Sequence, residues 1–251
     1  MTLLIFLQRK YLKRRYFTIS GSLKKVKMRF IFNGKKIVEY SNSVIYAAEL
    51  IGTIAFASSG ALVAIRKNMD LFGVIALAMT TALGGGFLRD VVLGIRPPKM
   101  FINATFALLA VGTGCLLFAL VYVNKYILES HFIDKYEKLM NFLDAVGLGV
   151  FTAVGINTAI AAGFGGNYFL LVFVGVMTGV GGGLVRDILA GLTPSILVEQ
   201  IYATASIVGA IAYVLLLPIV PQAVAVLICT VFVVALRMLA VKFGWHLPKI
   251  R

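Results

Sequence analysis

Two stretches of the sequence read almost alike: "GGGFLRDVVLGIRP" at Gly84–Pro97 and "GGGLVRDILAGLTP" at Gly181–Pro194. Each stretch places three glycines and then an adjacent Arg-Asp pair inside a long apolar run. Glycine in a helix interior costs about 1 kcal/mol relative to alanine, and a charge deep in a bilayer costs at least ~2.5–3.5 kcal/mol. Because the sequence repeats both of these unfavourable features, the two stretches are expected to have a specific function.

The composition around these stretches is that of an integral membrane protein. The chain has 251 residues, of which 60% are hydrophobic and 14% are charged, whereas soluble domains are about 45–50% apolar. At about 1.5 Å of helix rise per residue, seven apolar stretches are long enough to cross about 30 Å of hydrocarbon. The predicted spans are approximately 44–65, 71–94, 104–123, 143–163, 169–190, 200–218 and 221–241. Because lipid permits no unpaired backbone and no barrel-like alternation is present, we predict an all-α protein with seven transmembrane helices.

An internal repeat organises the spans. The glycine-rich stretches match at an offset of 97 residues, and "ELIGTIAFASSG" (residues 49–60) matches "DAVGLGVFTAVG" (residues 144–155) at an offset of 95. The sequence therefore predicts repeat one over 44–123, repeat two over 143–218 and an extra helix over 221–241. A unit with three spans leaves the chain on the far side of the membrane, so the second unit is expected to be inverted relative to the first.

Residues 1–43 form a basic extension that precedes the domain predicted over 44–251. Residues 1–40 hold eleven of the 24 lysines and arginines and one acid, Glu39. Such a segment is expected either to be disordered or to lie on an anionic membrane surface. The two cysteines and two histidines form no metal-binding pattern. We therefore expect no enzyme, no metal, no cofactor and no nucleic-acid partner.

The glycine triplets have two interpretations. Isolated small residues let helices approach closely, whereas three consecutive glycines weaken the helix and permit a kink. Freed carbonyls are tolerated in lipid only where they face protein or a wet cavity. We expect broken second and fifth helices that line a cavity, with close packing as the alternative.

The Arg-Asp pairs favour a polar passage. Neighbouring residues on a helix point about 100° apart, so each charge is expected to find its partner elsewhere. The alternative is that the pairs only pin the helices to their neighbours. Glu49 and Asp144, which are related by the repeat, are secondary candidates, or else carboxylates at helix starts that the helix dipole favours. The candidate pathway residues are Gly84, Gly85, Gly86, Arg89, Asp90, Gly181, Gly182, Gly183, Arg186 and Asp187.

These features together resemble the prokaryotic branch of the trimeric intracellular cation channel family, whose domain is also called a glycine-transporter domain. The resemblance covers about Ser43–Pro248 and rests on the doubled "GGGxxRD" motif, on "LIGTIAFASSGALVAIRKNMDLFGV" and on the closing "WHLP". It implies a homotrimer in a prokaryotic cell membrane, in contact with membrane lipid. It also implies one pore in each protomer, lined by the second and fifth helices kinked at their glycines and permeable to K+ and other monovalent cations.

Three functions remain open from the residues. The first is a passive channel for K+ and Na+, the second a secondary transporter for glycine or a similar small solute, and the third a scaffold whose charged pairs lock the fold. Bare arginines beside a passage would repel cations, so the first function requires Asp90 and Asp187, or freed carbonyls, to neutralise them. The basic residues of the loops favour an outside N-terminus and an inside C-terminus, although the basic extension favours the reverse.

Overall fold

The computed structural model describes residues 23–123, 133–198 and 201–245, and the regular elements in these ranges are all helices. Residues 1–42 and 43–251 form two separate units. The first unit contributes helical backbone from residue 23, and residues 1–22 of the predicted extension lie outside the described ranges. The helices are α1 (Leu23–Arg66), α2 (Leu71–Val92), α3 (Lys99–Ile102), α4 (Thr105–Val123), α5 (Ile133–Ala159, continued by a π-helix over Ile160–Phe164), α6 (Tyr168–Leu189), α7 (Ser195–Val198), α8 (Ala203–Leu216) and α9 (Gln222–Phe243).

Six of the helices in the described ranges are long and apolar enough to cross a membrane. They are α2, α4, α6, α9, the Ser43–Arg66 part of α1 and the stretch Glu137–Phe164. The sixth predicted span is shorter than expected, because α8 has 14 residues and rises only about 21 Å. Pro218 and Pro221 follow closely, and proline cannot continue a helix interior. The protein is therefore an all-helical membrane protein with six long candidate spans and one shorter apolar helix.

The same order of elements occurs twice along the chain. Two long helices, a four-residue helix and a further apolar helix occur as α1 to α4 and again as α5 to α8. The second helix of each set begins at a side-chain cap, where Asp70 accepts a hydrogen bond from the Gly73 N–H and Asn167 accepts one from the Leu170 N–H. The two sets are thus alike in local structure as well as in sequence.

Matching left-handed glycines end the second helix of each set. Gly94 has φ 69° and Gly191 has φ 65°, a conformation that costs other residues roughly 1–2 kcal/mol. The next N–H donates to the carbonyl five residues earlier, from Ile95 to Asp90 and from Leu192 to Asp187. This is the Schellman arrangement. It turns the chain so that the residue after the motif arginine lies close to the following short helix.

The interior of the bundle contains the Ser43–Arg66 part of α1 and helix α5, whereas α4 lies at the edge of the bundle. In α1 and α5 78% of the best membrane-spanning window is buried, against 11% in α4. Both interior helices begin well before their acidic residues, α1 at Leu23 and α5 at Ile133. The interpretation of Glu49 and Asp144 as helix-start carboxylates is therefore wrong, because the dipole effect fades within the first turn.

Candidate functional site

The glycine triplets lie where α2 and α6 cross. A Cβ atom on Gly85 would lie 2.1 Å from the Thr178 carbonyl oxygen, and one on Gly182 would lie 2.2 Å from the Thr81 carbonyl oxygen. Contacts advance along α2 as they retreat along α6, so the two helices run antiparallel. At both positions only a residue without a Cβ allows the backbones to approach this closely.

Both helices are continuous through their triplets. The helix α2 runs unbroken over Leu71–Val92, and α6 runs unbroken over Tyr168–Leu189. The helices are therefore not broken at the triplets, whereas a kink there stays a prediction. Close packing, the alternative interpretation, accounts for the contacts of Gly85, Gly181 and Gly182. The physical reason is that three glycines permit a break without imposing one, and the crossing helix holds the backbone in place.

Each motif arginine pairs with the aspartate next to it. Arg89 Nε donates to Asp90 Oδ1 at 2.8 Å, and Arg186 Nε donates to Asp187 Oδ1 at 2.8 Å. All four side chains are buried. The expectation that sequence neighbours could not meet is wrong, because the long arginine side chain folds back from its own direction towards the carboxylate. Each pair is thereby neutralised locally, within one motif.

The second oxygen of each aspartate binds the chain after the turn. Asp90 Oδ2 accepts a hydrogen bond from the Lys99 N–H at 2.8 Å, and Asp187 Oδ2 accepts one from the Ser195 N–H at 2.7 Å. Lys99 and Ser195 are the first residues of the short helices α3 and α7. Each aspartate therefore fixes an arginine and a chain reversal at the same time.

The two charged pairs lie on opposite sides of the crossing. Each arginine follows its crossing glycine by four residues, about 6 Å along the helix, and the antiparallel helices point these steps in opposite directions. Arg89 and Asp90 border a cavity of about 100 Å³, and Arg186 and Asp187 border one of about 510 Å³. The first cavity is also lined by Glu49, Thr53, Gly86, Lys99 and Phe151, the second by Arg66, Lys67, Thr193 and Ser195. The predicted placement of the pairs on either side of the glycines is the observed one.

Two repeat-related rings fill space beside the crossing. Phe56 and Phe151 stack with their centroids 5.3 Å apart, and both are buried. A Cβ on Gly182 would lie 3.0 Å from the Phe56 ring. Phe151 also borders the cavity beside Arg89. The centre of the bundle is thus packed with aromatic carbon, while water-sized space lies on either side.

The surroundings of the two arginines differ. Arg186 Nη1 also donates to Ser59 Oγ and to Asp144 Oδ1, each at 2.5 Å, so three side chains hold it. We call Arg186, Asp187, Asp144 and Ser59 the clamp. At the other arginine the repeat places Glu49 where Asp144 would be and Val154 in place of Ser59. The clamp is therefore present on one side of the crossing.

Sequence reasoning missed three residues at the clamp. Ser59 is an acceptor in it, and Arg237 of α9 stacks its guanidinium carbon 4.7 Å from the centroid of the Tyr202 ring. Both Tyr202 and Arg237 are buried, and the Tyr202 hydroxyl would lie 2.5 Å from a Cβ on Gly183. A lone arginine in the seventh apolar span is a signal that the sequence offered. The extra helix is thus joined to the second repeat by a buried cation.

Metal-binding chemistry has no support in the part of the chain that the structure describes. No group of three His, Cys, Asp or Glu side chains there could hold a metal ion. Cys115 and Cys229 are both free thiols, and Cys229 is buried. His131 and His246 lie outside the described ranges.

Comparison with known proteins identifies relatives over the same region. A family model described as "Glycine transporter" matches residues 46–122 and 141–218, one match for each repeat. The UPF0126 inner membrane protein YadS of Escherichia coli K12 is 37% identical over 206 residues, which cover 81% of this chain and 94% of that protein. A UPF0126 membrane protein of Deinococcus radiodurans is 38% identical over 172 residues, 68% of this chain and 75% of its own.

Solved structures of channels share the fold. A TRIC cation channel structure is 34% identical with a TM-score of 0.70, over 82% of this chain and 96% of that one. The trimeric intracellular cation channel orthologue from Rhodobacter sphaeroides is 31% identical with a TM-score of 0.71, over 81% of this chain and all of its own. The chain therefore belongs to the glycine-transporter family of membrane proteins, which includes the UPF0126 proteins and the prokaryotic TRIC channels.

Proposed function

We propose that the protein is a cation channel whose ion pathway runs within the chain, from the cavity beside Arg89, past the glycine crossing, to the cavity beside Arg186. The candidate pathway is lined by α2 and α6, the second and fifth predicted spans. Its end regions carry the two Arg-Asp pairs. The likeness to TRIC cation channels at 29–34% identity supports this function.

One observation carries the proposal: both arginines beside the pathway are paired with a carboxylate of their own motif at 2.8 Å. Unpaired guanidinium groups would repel a cation in a confined, low-dielectric passage. Paired with Asp90 and Asp187, they contribute no net charge at short range. The electrostatic objection that the motif arginines raise is thereby removed, and the hydroxyl oxygens of Thr53 and Thr193 remain as neutral ligands for a cation.

The permeant ions in this proposal are K+ and Na+, with modest discrimination between them. The sequence contains no TVGYG filter, which is the arrangement that strips a K+ ion of its water. The proposal also holds that the two repeats are inverted in the membrane and that three chains assemble, each with its own pathway. We also propose that the protein lies in a prokaryotic cell membrane, in contact with membrane lipid.

A packed centre implies a conformational step. Phe56 stacks on Phe151, and Gly85 lies against the backbone of α6, so the described conformation is closed there. In the proposal, conduction requires α2 and α6 to move apart or bend at their glycines. Flexibility at Gly84 and Gly86 is compatible with this, because a Cβ on either would meet only side-chain atoms, no nearer than 3.5 Å.

A second candidate is a transporter for glycine or a similar small solute. The observation in its favour is the same packed centre with a cavity on either side, which also suits alternating access through inverted repeats. The family description points the same way. Transport of this kind would proceed by saturable, ion-coupled uptake without unitary currents.

Purified protein in planar bilayers and liposomes separates the candidates. A channel gives unitary currents whose reversal potential in a KCl gradient follows K+, whereas a transporter gives saturable uptake of labelled glycine and no unitary current. Intact protein with neither signal contradicts both functions and leaves a structural role for the charged pairs.

The motif aspartate tests the electrostatic argument. We expect Asp187→Asn to lower the cation-to-anion permeability ratio severalfold, because Asp144 is then the one carboxylate left to balance Arg186 and the nearby Arg237. The matched control is Asp70→Asn, which removes a carboxylate from an exposed helix cap where asparagine serves equally well. Equal ratios for both variants and the unchanged protein would contradict the assignment of Asp187 to the pathway.

A further inference from the structure

We infer that Glu49 sets the cation preference of the cavity beside Arg89, an inference that rests on the proposed channel function. The repeat relates Glu49 to Asp144, and the two carboxylates have different surroundings. Asp144 is buried and bound to Arg186. Glu49 is half-buried and borders the cavity of about 100 Å³.

The charge of Asp144 is consumed inside the clamp. Arg186 donates hydrogen bonds to Asp144, Asp187 and Ser59. Nearby, Arg237 stacks on Tyr202. Two guanidinium groups and two carboxylates therefore balance within a buried network. The Asp144 charge is therefore balanced by an arginine bound directly to it.

The charge of Glu49 is not consumed in this way. Among the side chains that the structure describes, none forms a hydrogen bond or ion pair with the Glu49 carboxylate. Arg89 is already paired with Asp90. Lys99 also borders the cavity and acts electrostatically on Glu49, but the two side chains form no ion pair in the described structure.

The result is a carboxylate without a directly bound partner in a small cavity on the proposed pathway. A negative charge in a confined, partly buried space attracts a cation more strongly than in bulk water, and Thr53 adds a hydroxyl on the next turn of the same helix. The structural assignment is therefore a division of roles between repeat-related acids: Asp144 fixes the fold, and Glu49 selects the ion.

The first test is the reversal potential in a KCl gradient. We expect Glu49→Gln to lower the K+-to-Cl− permeability ratio about fivefold, and Glu49→Lys to bring it below one. Glu49→Asp should retain most of the preference because it keeps the charge. Asp70→Asn is the matched control and should leave the ratio unchanged, since Asp70 caps an exposed helix start away from both cavities.

The second test measures ion binding without current. The unfolding temperature of the detergent-solubilised protein is compared in KCl and in N-methyl-D-glucamine chloride at equal ionic strength. A K+-dependent rise in unfolding temperature that is present in the unchanged protein and lost in Glu49→Gln supports the inference. If this rise is found without any current, the proposed channel function alone is contradicted. Unitary currents with the same permeability ratio and the same K+-dependent rise in Glu49→Gln overturn the inference and leave the channel function standing. A protein with neither current nor K+-dependent rise contradicts both.

Discussion

An arginine and the aspartate after it leave a helix in different directions, yet in both motifs the guanidinium returns to that aspartate at 2.8 Å. Spacing rules for helix faces compare Cβ directions and underestimate the reach of arginine. The sequence therefore pointed to these four charged residues but assigned their partners elsewhere. Only the side-chain geometry shows that each motif neutralises itself.

The crossing glycines differ in how much room they have. We expect Gly182→Ala to lower the free energy of unfolding by about 1–3 kcal/mol, because its methyl group would lie 2.2 Å from the Thr81 carbonyl oxygen. SDS titration in mixed micelles measures the loss.

The control is Gly112→Ala in α4, where nothing lies within 4 Å of the added methyl group. That substitution should leave stability equal or slightly higher, since alanine favours the helix by about 1 kcal/mol. Equal losses at both positions would show that the crossing is not as close as described.

The clamp predicts unequal costs for the two repeat-related acids. Asp144→Asn leaves the buried Arg186 with one carboxylate partner in place of two, and we expect a loss of about 3 kcal/mol in unfolding free energy. Glu49→Gln should change it by less than about 1 kcal/mol, because Glu49 forms no ion pair in the described structure. Thermal melting in detergent checks the order, and a larger loss for Glu49→Gln contradicts the division of roles.

At the scale of elements, the sequence predicted the long helices and their order but not the state of the helices that carry the triplets. Apolar length and the offset of 97 residues placed α2 and α6 within a few residues of their observed bounds. Whether three glycines break a helix depends on what packs against them, and the partner helix lies about a hundred residues away in sequence. The early starts of α1 and α5 were missed because polar residues precede their apolar parts.

A cross-link tests whether α2 and α6 must separate for conduction. A Cβ on Gly84 would lie 3.6 Å from the Val185 Cβ, within the ~3.5–4.5 Å range found in disulfides. In a background with Cys115→Ala and Cys229→Ala, the pair Gly84→Cys and Val185→Cys should lose its current on oxidation and regain it with dithiothreitol.

Each single cysteine variant is the control for that experiment and should be indifferent to oxidant. Undiminished current in a protein shown by mass to be fully cross-linked would mean that the ion pathway does not pass between these two helices.

At the scale of the whole molecule, composition and the repeat predicted the membrane class and the doubled architecture, and the family matches fall on the same two segments. The short length of α8 was not predicted, because the apolar stretch of the sequence continues past the end of the helix, through the turn at residues 217–220. Arg237 was missed because it belongs to neither repeat. Its role depends on Tyr202, which only the folded chain brings close.

Assembly and orientation are predictions at this scale. In nanodiscs we expect a protein mass about three times that of the 27.1 kDa chain, measured by light scattering, with a one-chain mass as the contradicting result.

Reporter fusions after Arg251 should report the cytoplasmic side, as the basic loops predict, and a periplasmic signal would reverse the assignment.

The clamp also bears on the direction of current. At the Arg186 end of the proposed pathway the charged side chains are bound to one another, whereas at the Arg89 end the Glu49 carboxylate has no bound partner. Identical salt on both faces of the membrane therefore meets two dissimilar mouths, and ions accumulate at one of them more than at the other. The protein should consequently behave as a weak rectifier, and removing the lone acid should straighten its current–voltage curve.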